Sequence, residues 1–284
     1  MEPKIALVTA PNSKTGRRVV ELLQSSSCLV RIASRNTRIK FDWEDMTTWE
    51  TVVTGVDCAY IIIPPNLAFK DMPERLKIFM MLCEEKKVGR IVLLSGRGEV
   101  EANRCEEIVL ASKIPSTIVK ASWFSQNFSE GFFLDSIVAG EIFIPVNGAR
   151  EPFIDVNDIA EVVYLSLLDT SPENHIYELT GSELLTFEDI ASIFSQTLNF
   201  DVKATYVPLE PYLSTLRKLA FSEDEVDLTR YLFEELLDGR NSYLTKDVNT
   251  LLGREPTSFR RYVESTKNSG VWNRLTLKET KNAT

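Results

Sequence analysis

Short apolar runs rich in valine and isoleucine recur along the chain, separated by segments in which apolar residues repeat at helical spacing. Strands that alternate with helices in this way indicate βαβ units and a parallel sheet buried on both faces. The pattern therefore predicts an α/β fold with a doubly wound parallel sheet. The predicted strands are 5–9, 30–34, 59–63, 90–95, 116–120 and 176–179, and the predicted helices are 15–24, 73–85, 105–112 and 158–168.

The pattern changes from about residue 140. Residues 140–146 and 150–156 each contain proline, so they predict short strands near a sheet edge. Residues 208–238 alternate acidic and apolar residues at helical spacing, which predicts helices. We expect a first domain with the parallel sheet over residues 1–150, a strand near 176–181 that returns to it, and a smaller, mostly helical α/β domain over residues 151–284 that covers one edge of the first.

The turn after the first strand lies where dinucleotide-binding loops carry three glycines, used for a tight turn, close approach to pyrophosphate and helix packing. Here Ala10 and Ser13 occupy the first two positions, and Gly16 occupies the third. Free amides and the dipole at a helix N-terminus favour phosphate. The turn predicts a phosphate loop that uses the amides from Ser13 to Gly16, together with Lys14 and Thr15. A plain βα turn without a nucleotide is the alternative.

The end of the second strand decides which dinucleotide such a loop would take. An acidic residue there binds the ribose hydroxyls of NAD, whereas an arginine accommodates the 2′-phosphate of NADP. The chain has Ser34 and Arg35 at this point, and residues 14–40 contain seven basic residues and one acid. A solvated helix face would also explain such a charge run. Because Arg35 offers a planar fork to phosphate oxygens, the sequence favours NADP(H).

Composition excludes several other classes of protein. The net charge of −9 argues against nucleic acid as a partner. No apolar run approaches the roughly 20 residues that span a bilayer, and the chain enters its first strand without a signal peptide, so we expect a cytoplasmic protein with no membrane partner. The four cysteines form no Cys-x-x-Cys pair, which predicts neither a metal site nor a disulfide framework. The sequence leaves the oligomeric state open.

Seven segments, taken in order and with their spacing, resemble the NmrA-like family of atypical short-chain dehydrogenases. They are residues 7–20, 55–65, 90–95, 116–128, 152–160, 177–181 and 252–259.

Within this family, the Phe-Asp-Trp run at 41–43, the Pro64-Pro65 pair and Trp123-Phe124 look most like fungal reductases of ergot and related indole-alkaloid pathways. The resemblance implies a Rossmann-like fold, NADP(H) as the cofactor, and an imine, iminium or azadiene centre in a polycyclic indole as the substrate. A variant couples the redox step to a cyclisation or cycloaddition in the same pocket. The family also contains regulators that bind dinucleotides and a protein partner, which is the alternative function.

The usual acid of short-chain dehydrogenases, a Tyr-x-x-x-Lys pair, is missing. Ser95 is present at the end of a strand, but residues 103–112 contain neither tyrosine nor lysine. An iminium already carries positive charge and can accept hydride without a strong acid, so we expect the protein mainly to position the reactants and stabilise the cation on aromatic faces. For Glu106 and Glu107 we favour a solvated helix face, with a role as proton acceptor as the alternative.

The candidate residues fall into three groups. The candidate catalytic residues are Ser95, Trp123 and Phe124, and the candidate substrate contacts are Trp123, Phe124, Gln126 and Asn127. The candidate cofactor contacts are Thr9, Ala10, Asn12, Ser13, Lys14, Thr15, Gly16, Ser34, Arg35, Asp42, Trp43, Ile63, Pro64, Pro65, Ser95, Gly96, Lys120 and Ser122.

Overall fold

A computed structural model describes residues 3–63 and 71–274. Pro64 and Pro65 lie outside the described residues. In chain order the elements are β1 (Ile5–Thr9), α1 (Lys14–Gln24), β2 (Leu29–Ser34), β3 (Ile39–Lys40), α2 (Trp49–Val53), β4 (Cys58–Ile62), α3 (Met72–Glu85), β5 (Arg90–Gly96), α4 (Val100–Leu110), β6 (Ser116–Ala121), α5 (Leu134–Ala139), β7 (Glu141–Ile144), α6 (Val156–Leu168), β8 (His175–Leu179), α7 (Phe187–Leu198), β9 (Lys203–Tyr206), α8 (Leu209–Lys218), α9 (Glu223–Tyr231), α10 (Asp247–Leu252) and α11 (Phe259–Lys267).

The main sheet has seven parallel strands in the order β3-β2-β1-β4-β5-β6-β8. The doubly wound sheet predicted from the apolar runs is therefore confirmed. Its central strands β1, β4, β5 and β6 are mostly buried because they contribute valine, isoleucine and leucine to cores on the sheet faces, as parallel strands do. Within the described part of the chain, no helix combines the length and the apolar composition that a bilayer crossing requires.

One face of the sheet carries a core shared with α3 and α4. Ile91 and Leu93 of β5 and Ile118 of β6 lie in it, together with Cys105 and Val109 of α4. Side chains alternate between the faces of a strand, so Ser95 and Lys120 continue these two columns toward the carboxyl ends of β5 and β6. The pairing register sets Ser95 directly beside Lys120.

The chain divides into two compact units. The first contains the residues up to Ser122, Val156–Thr180 and Leu244–Pro256, and the second contains Trp123–Asp155, Gly181–Tyr243 and the residues from Thr257 on. The sequence instead predicts a division at residue 150, with a strand near 176–181 that returns to the first domain. In the structure β8 extends the sheet beside β6, and α6 also belongs to the first unit because it packs against α1.

The second unit is built around aromatic side chains and a two-stranded parallel sheet of β7 and β9. The strand predicted over residues 150–156 is wrong, since this segment makes only isolated bridges, from Glu151 to Leu185 and from Ile154 to Phe124. Pro152 explains the interruption because it has no amide proton for a continuous ladder. The helices predicted over residues 208–238 are present as α8 and α9.

Candidate active site

The turn between β1 and α1 has the backbone geometry that glycines usually supply in such loops, although two of the three glycines are replaced. Ala10 has a φ of 64°, the left-handed conformation that the first glycine normally supplies. Gly16 has no room for a side chain, because a Cβ there would lie 2.2 Å from the carbonyl oxygen of Ala10. Gly16 thus allows α1 to start close against the turn, which is the packing role of the third glycine.

Ser13 is the N-cap of α1, and its side chain satisfies one of the free amides at the start of the helix. Its hydroxyl accepts a hydrogen bond of 3.0 Å from the amide of Gly16. The first turn of a helix still has amides without intrahelical partners, so the turn fits a phosphate group. The side chain of Ser13 reduces the space for a phosphate group, because a glycine at this position would leave that volume empty. Thr15 is buried and its hydroxyl accepts a hydrogen bond of 3.0 Å from Tyr60, which fixes the start of α1 to β4.

The end of β2 presents exposed positive charge. Arg35, Arg38 and Lys40 are exposed and have no ion pair or hydrogen-bond partner for their charged groups among the described residues. Other members of the basic stretch are used by the fold: Arg18 donates to Asn157, and Arg31 donates to the carbonyl of Val52. The charge run is therefore partly structural, and its free part lies where a 2′-phosphate would need it.

Side chains near β4 have structural partners. Thr9 is buried, donates to the carbonyl of Tyr60 and accepts from the amide of Ile62, which joins β1 to β4. Trp43 is 4% exposed and packs edge-on against Phe79, so its ring has no open face for a nucleotide.

Four further candidates lie on loops or strand ends of the same unit. Ser34 takes part in a turn with Thr37, and Asp42 accepts from the amide of Glu44. Ile63 is half-buried after β4, and Asn12 is exposed in the β1–α1 turn.

Ser95, Glu106 and Lys120 form a buried polar cluster at the carboxyl ends of β5 and β6. The hydroxyl of Ser95 donates to Oε1 of Glu106 at 2.5 Å, and Nζ of Lys120 donates to Oε2 at 3.0 Å. Lys120 also donates to Asn103 at 3.4 Å. Glu106 is 6% exposed, so the interpretation of this residue as part of a solvated face is wrong. Glu107 is exposed.

A second carboxylate, that of Glu99, lies beside this cluster. It folds over Gly96, where a Cβ would lie 2.0 Å from Oε1 of Glu99, so the glycine admits the acid. Burial raises the pKa of Glu99, and repulsion from Glu106 raises it further, while Lys120 lowers it. Two carboxylates and one ammonium group therefore share a small volume.

Ser122 is the last candidate site residue in the first unit. It is buried, its hydroxyl accepts from the guanidinium of Arg97 at 2.8 Å, and its amide donates to the carbonyl of Leu179. Arg97 also lies 3.6 Å from the carboxylate of Glu178. These contacts tie β5, β6 and β8 together at their carboxyl ends.

The candidate substrate residues belong to the second unit. Trp123 is half-buried, and its ring centroid lies 5.9 Å from that of Phe233. Phe124 is half-buried in a bridge to Ile154. Gln126 is 2% exposed and donates to Asp155 at 2.8 Å, so burial removes its amide from an open surface. Asn127 is half-buried.

A cavity of about 470 Å³ opens in the second unit beside Phe233. Val146 and Leu237 give it apolar walls, while Arg150 and Asp238 give it charged ones. Its volume lies within the range of small-molecule sites. Asp238 is already paired with Arg240 at 2.8 Å.

The sequence interpretation missed Glu99 and misassigned Glu106. One signal was available: Glu106 lies three residues before the buried Val109, and residues three apart share a helix face. For Glu99 there was no such signal, because its burial depends on the space above Gly96.

The seven-stranded parallel sheet, whose first six strands follow the order 3-2-1-4-5-6, and the turn ending on Gly16 define a Rossmann-like α/β protein. The model of the NmrA-like family matches residues 102–245, just over half of the chain. The chain therefore belongs to the NmrA-like family.

Individual relatives are distant but align along most of the chain. Prestalk A differentiation protein A of Dictyostelium discoideum is 28% identical over 278 residues, which cover 92% of this chain and 91% of that protein. Agroclavine dehydrogenase of Claviceps fusiformis is 26% identical over 287 residues, covering 94% and 98%. The structure of Citrobacter sp. triphenylmethane reductase complexed with NADP(H) aligns with a TM-score of 0.79 at 17% identity, covering 92% of this chain and 99% of that one. This structural similarity supports the fold.

Proposed function

We propose that the protein is an NADP(H)-dependent oxidoreductase that transfers hydride to or from an imine, iminium or azadiene centre of a polycyclic indole. The observation that carries the proposal is the β1–α1 turn, with Ala10 in the left-handed conformation and Gly16 packed against its carbonyl oxygen. The names of two similar proteins, agroclavine dehydrogenase and triphenylmethane reductase, support redox chemistry on small molecules.

The first unit would hold the cofactor. The amides at the start of α1, with Lys14 and Thr15, would bind the pyrophosphate, and Arg35 would bind the 2′-phosphate. Bound NADPH supplies a hydride, and NADP⁺ accepts one. Gly96, Lys120 and Ser122 lie at the carboxyl ends of β5 and β6, the edge of a doubly wound sheet at which ligands bind. Ser95 lies at the same edge, and its hydroxyl carries an exchangeable proton.

The second unit would hold the substrate. Trp123, Phe124 and the 45%-exposed Phe132 offer aromatic surface, and the cavity beside Phe233 offers volume. A cationic nitrogen over such a ring gains roughly 0.5 to 2 kcal/mol. The same surface would orient an intermediate for a subsequent cyclisation or cycloaddition.

The test uses the purified full chain with NADPH or NADH and a set of cyclic indole imines and iminium ions. We expect NADPH to be consumed, measured as the loss of the absorbance of its reduced nicotinamide. The reduced amine should form at the same time, and mass spectrometry would detect it. NADH should support slower turnover. Tight NADPH binding without consumption of any compound, combined with a protein that co-purifies, would instead identify a dinucleotide-binding regulator.

A further inference from the structure

The unexpected feature of the first unit is a buried acid where short-chain dehydrogenases would carry their tyrosine. Glu106 extends from α4 to the Ser95 hydroxyl on β5, and the two oxygens lie 2.5 Å apart. That distance is typical of a charge-assisted O–H···O⁻ bond, which lets the hydroxyl proton be passed on when the carboxyl group changes its protonation. On the opposite side, Lys120 of β6 binds the second carboxylate oxygen.

We propose that Ser95 and Glu106 form an acid–base pair that exchanges a proton with the nitrogen of a neutral C–N substrate, with Lys120 and Glu99 setting the charge around the pair. The inference rests on the proposed function and narrows its substrate class. A protein that handled only permanent iminium ions would have no use for such a pair. With it, the protein can reduce neutral imines and, in reverse, oxidise secondary amines.

The proton transfers balance as follows in the direction of reduction. Hydride brings two electrons to the imine carbon, and the π electrons of the C=N bond form a new N–H bond with the proton of the Ser95 hydroxyl. In this direction Glu106 first takes up a proton from water, and Ser95 then takes that proton from the carboxyl group, so its own O–H bond is restored. Glu106 is left as a carboxylate bound to Lys120, and water returns its proton. Oxidation of an amine runs through the same steps backwards.

The charges around the pair suit both directions. Among the described residues, Ser95 on β5 and Lys120 on β6 bind the carboxyl group of Glu106, and Glu99 at the start of α4 lies close enough to repel it. Asn103 on α4 accepts a hydrogen bond from Lys120. A positive group and a negative group thus both lie beside the carboxyl group that exchanges the proton.

The activity test compares a substrate whose reduction requires a proton with a related substrate whose reduction does not. One is a neutral cyclic imine, assayed at a pH where it is unprotonated, and the other is its N-methyl iminium ion. Glu106→Gln should lower kcat on the neutral imine by about 100-fold or more, with little change in KM. On the iminium ion it should lower kcat by less than about 5-fold. Glu107→Gln, on the exposed face of α4, is the matched control.

A second measurement needs neither cofactor nor substrate. Carbon-13 NMR of glutamate-labelled protein should show that Glu99 has a raised pKa, which falls in Glu106→Gln because a like charge is removed and rises in Lys120→Met. Equal loss of activity on both substrates, or no loss on either, would overturn the acid–base pair. If neither substrate is consumed, the proposed function fails, and the titration then tests the pair. A Glu99 pKa that is the same in Glu106→Gln as in the wild type would overturn the acid–base pair.

Discussion

Gly16 offers the sharpest test of how the β1–α1 turn is built. In Gly16→Ala, the new Cβ would lie 2.2 Å from the carbonyl oxygen of Ala10 and 2.8 Å from the hydroxyl of Ser13. Ordinary contact needs roughly 3.4 Å or more, so the backbone of the turn and α1 must separate by roughly 1 Å. Shifts of this kind cost about 1 to 3 kcal/mol, and the better helix propensity of alanine returns about 1 kcal/mol at most.

The expected result is a net loss of up to about 2 kcal/mol, which corresponds to a fall in Tm of up to about 8 °C for a chain of this size. Because the amides at the start of α1 move with the turn, the Kd for NADPH should rise about 10-fold or more. Thermal unfolding and fluorescence titration with NADPH measure the two effects.

Gly253→Ala is the matched control for Gly16→Ala. Gly253 has a φ of 65° and open space around its Cβ position, so alanine there should destabilise the protein through backbone strain alone. That control should lower Tm without changing NADPH affinity. A Gly16→Ala protein with the wild-type Tm and NADPH affinity would refute the reasoning.

Two further predictions concern single charges. Arg35→Ala should raise the Kd for NADPH by about 10- to 100-fold and leave that for NADH nearly unchanged, because a hydrogen bond to a charged group contributes about 1.5 to 3 kcal/mol. Arg104→Ala, at an exposed position on α4, is the control, and equal effects on both cofactors in Arg35→Ala would exclude the phosphate contact. Burial raises the pKa of Asp169, but hydrogen bonds from the amide and hydroxyl of Ser171 outweigh it and leave that pKa lowered. Asp169 therefore stabilises the fold above its unfolded pKa of about 4 and ceases to do so as the pH falls through the lowered value. Asp169→Asn should lower Tm at neutral pH, with a deficit that shrinks in acid, whereas Glu173→Gln should show no deficit; a constant deficit would contradict the assignment.

The cluster around Ser95 shows where local patterns stop being informative. Glu106 and Glu107 are adjacent and chemically identical, yet one is buried against Ser95 and the other is exposed. Helical spacing places Glu106 on the same face as Val109, but only the structure shows that this face packs against Ser95. The sequence predicts a helix from residue 105, whereas α4 begins at Val100, directly after Glu99.

Trp43 shows a second limit of local patterns. The sequence predicts it as a cofactor contact, and in the structure its ring lies in the core with Phe41, Trp49 and Phe79. Aromatic residues contribute large buried areas, and nothing in the local sequence distinguishes a ring that fills a core from one that lines a site.

The sequence by itself determined the parallel sheet, the strand-to-helix turn after β1 and the basic end of β2, because these depend on the alternation of apolar residues and on chemistry within a few neighbouring positions. Only the tertiary structure decided which side chains meet. Ser95 and Lys120 are neighbours through the register of β5 and β6, and Glu106 reaches them from a helix between those strands. Residues far apart in sequence are brought together by how the helix packs on the sheet, and that packing depends on the whole core.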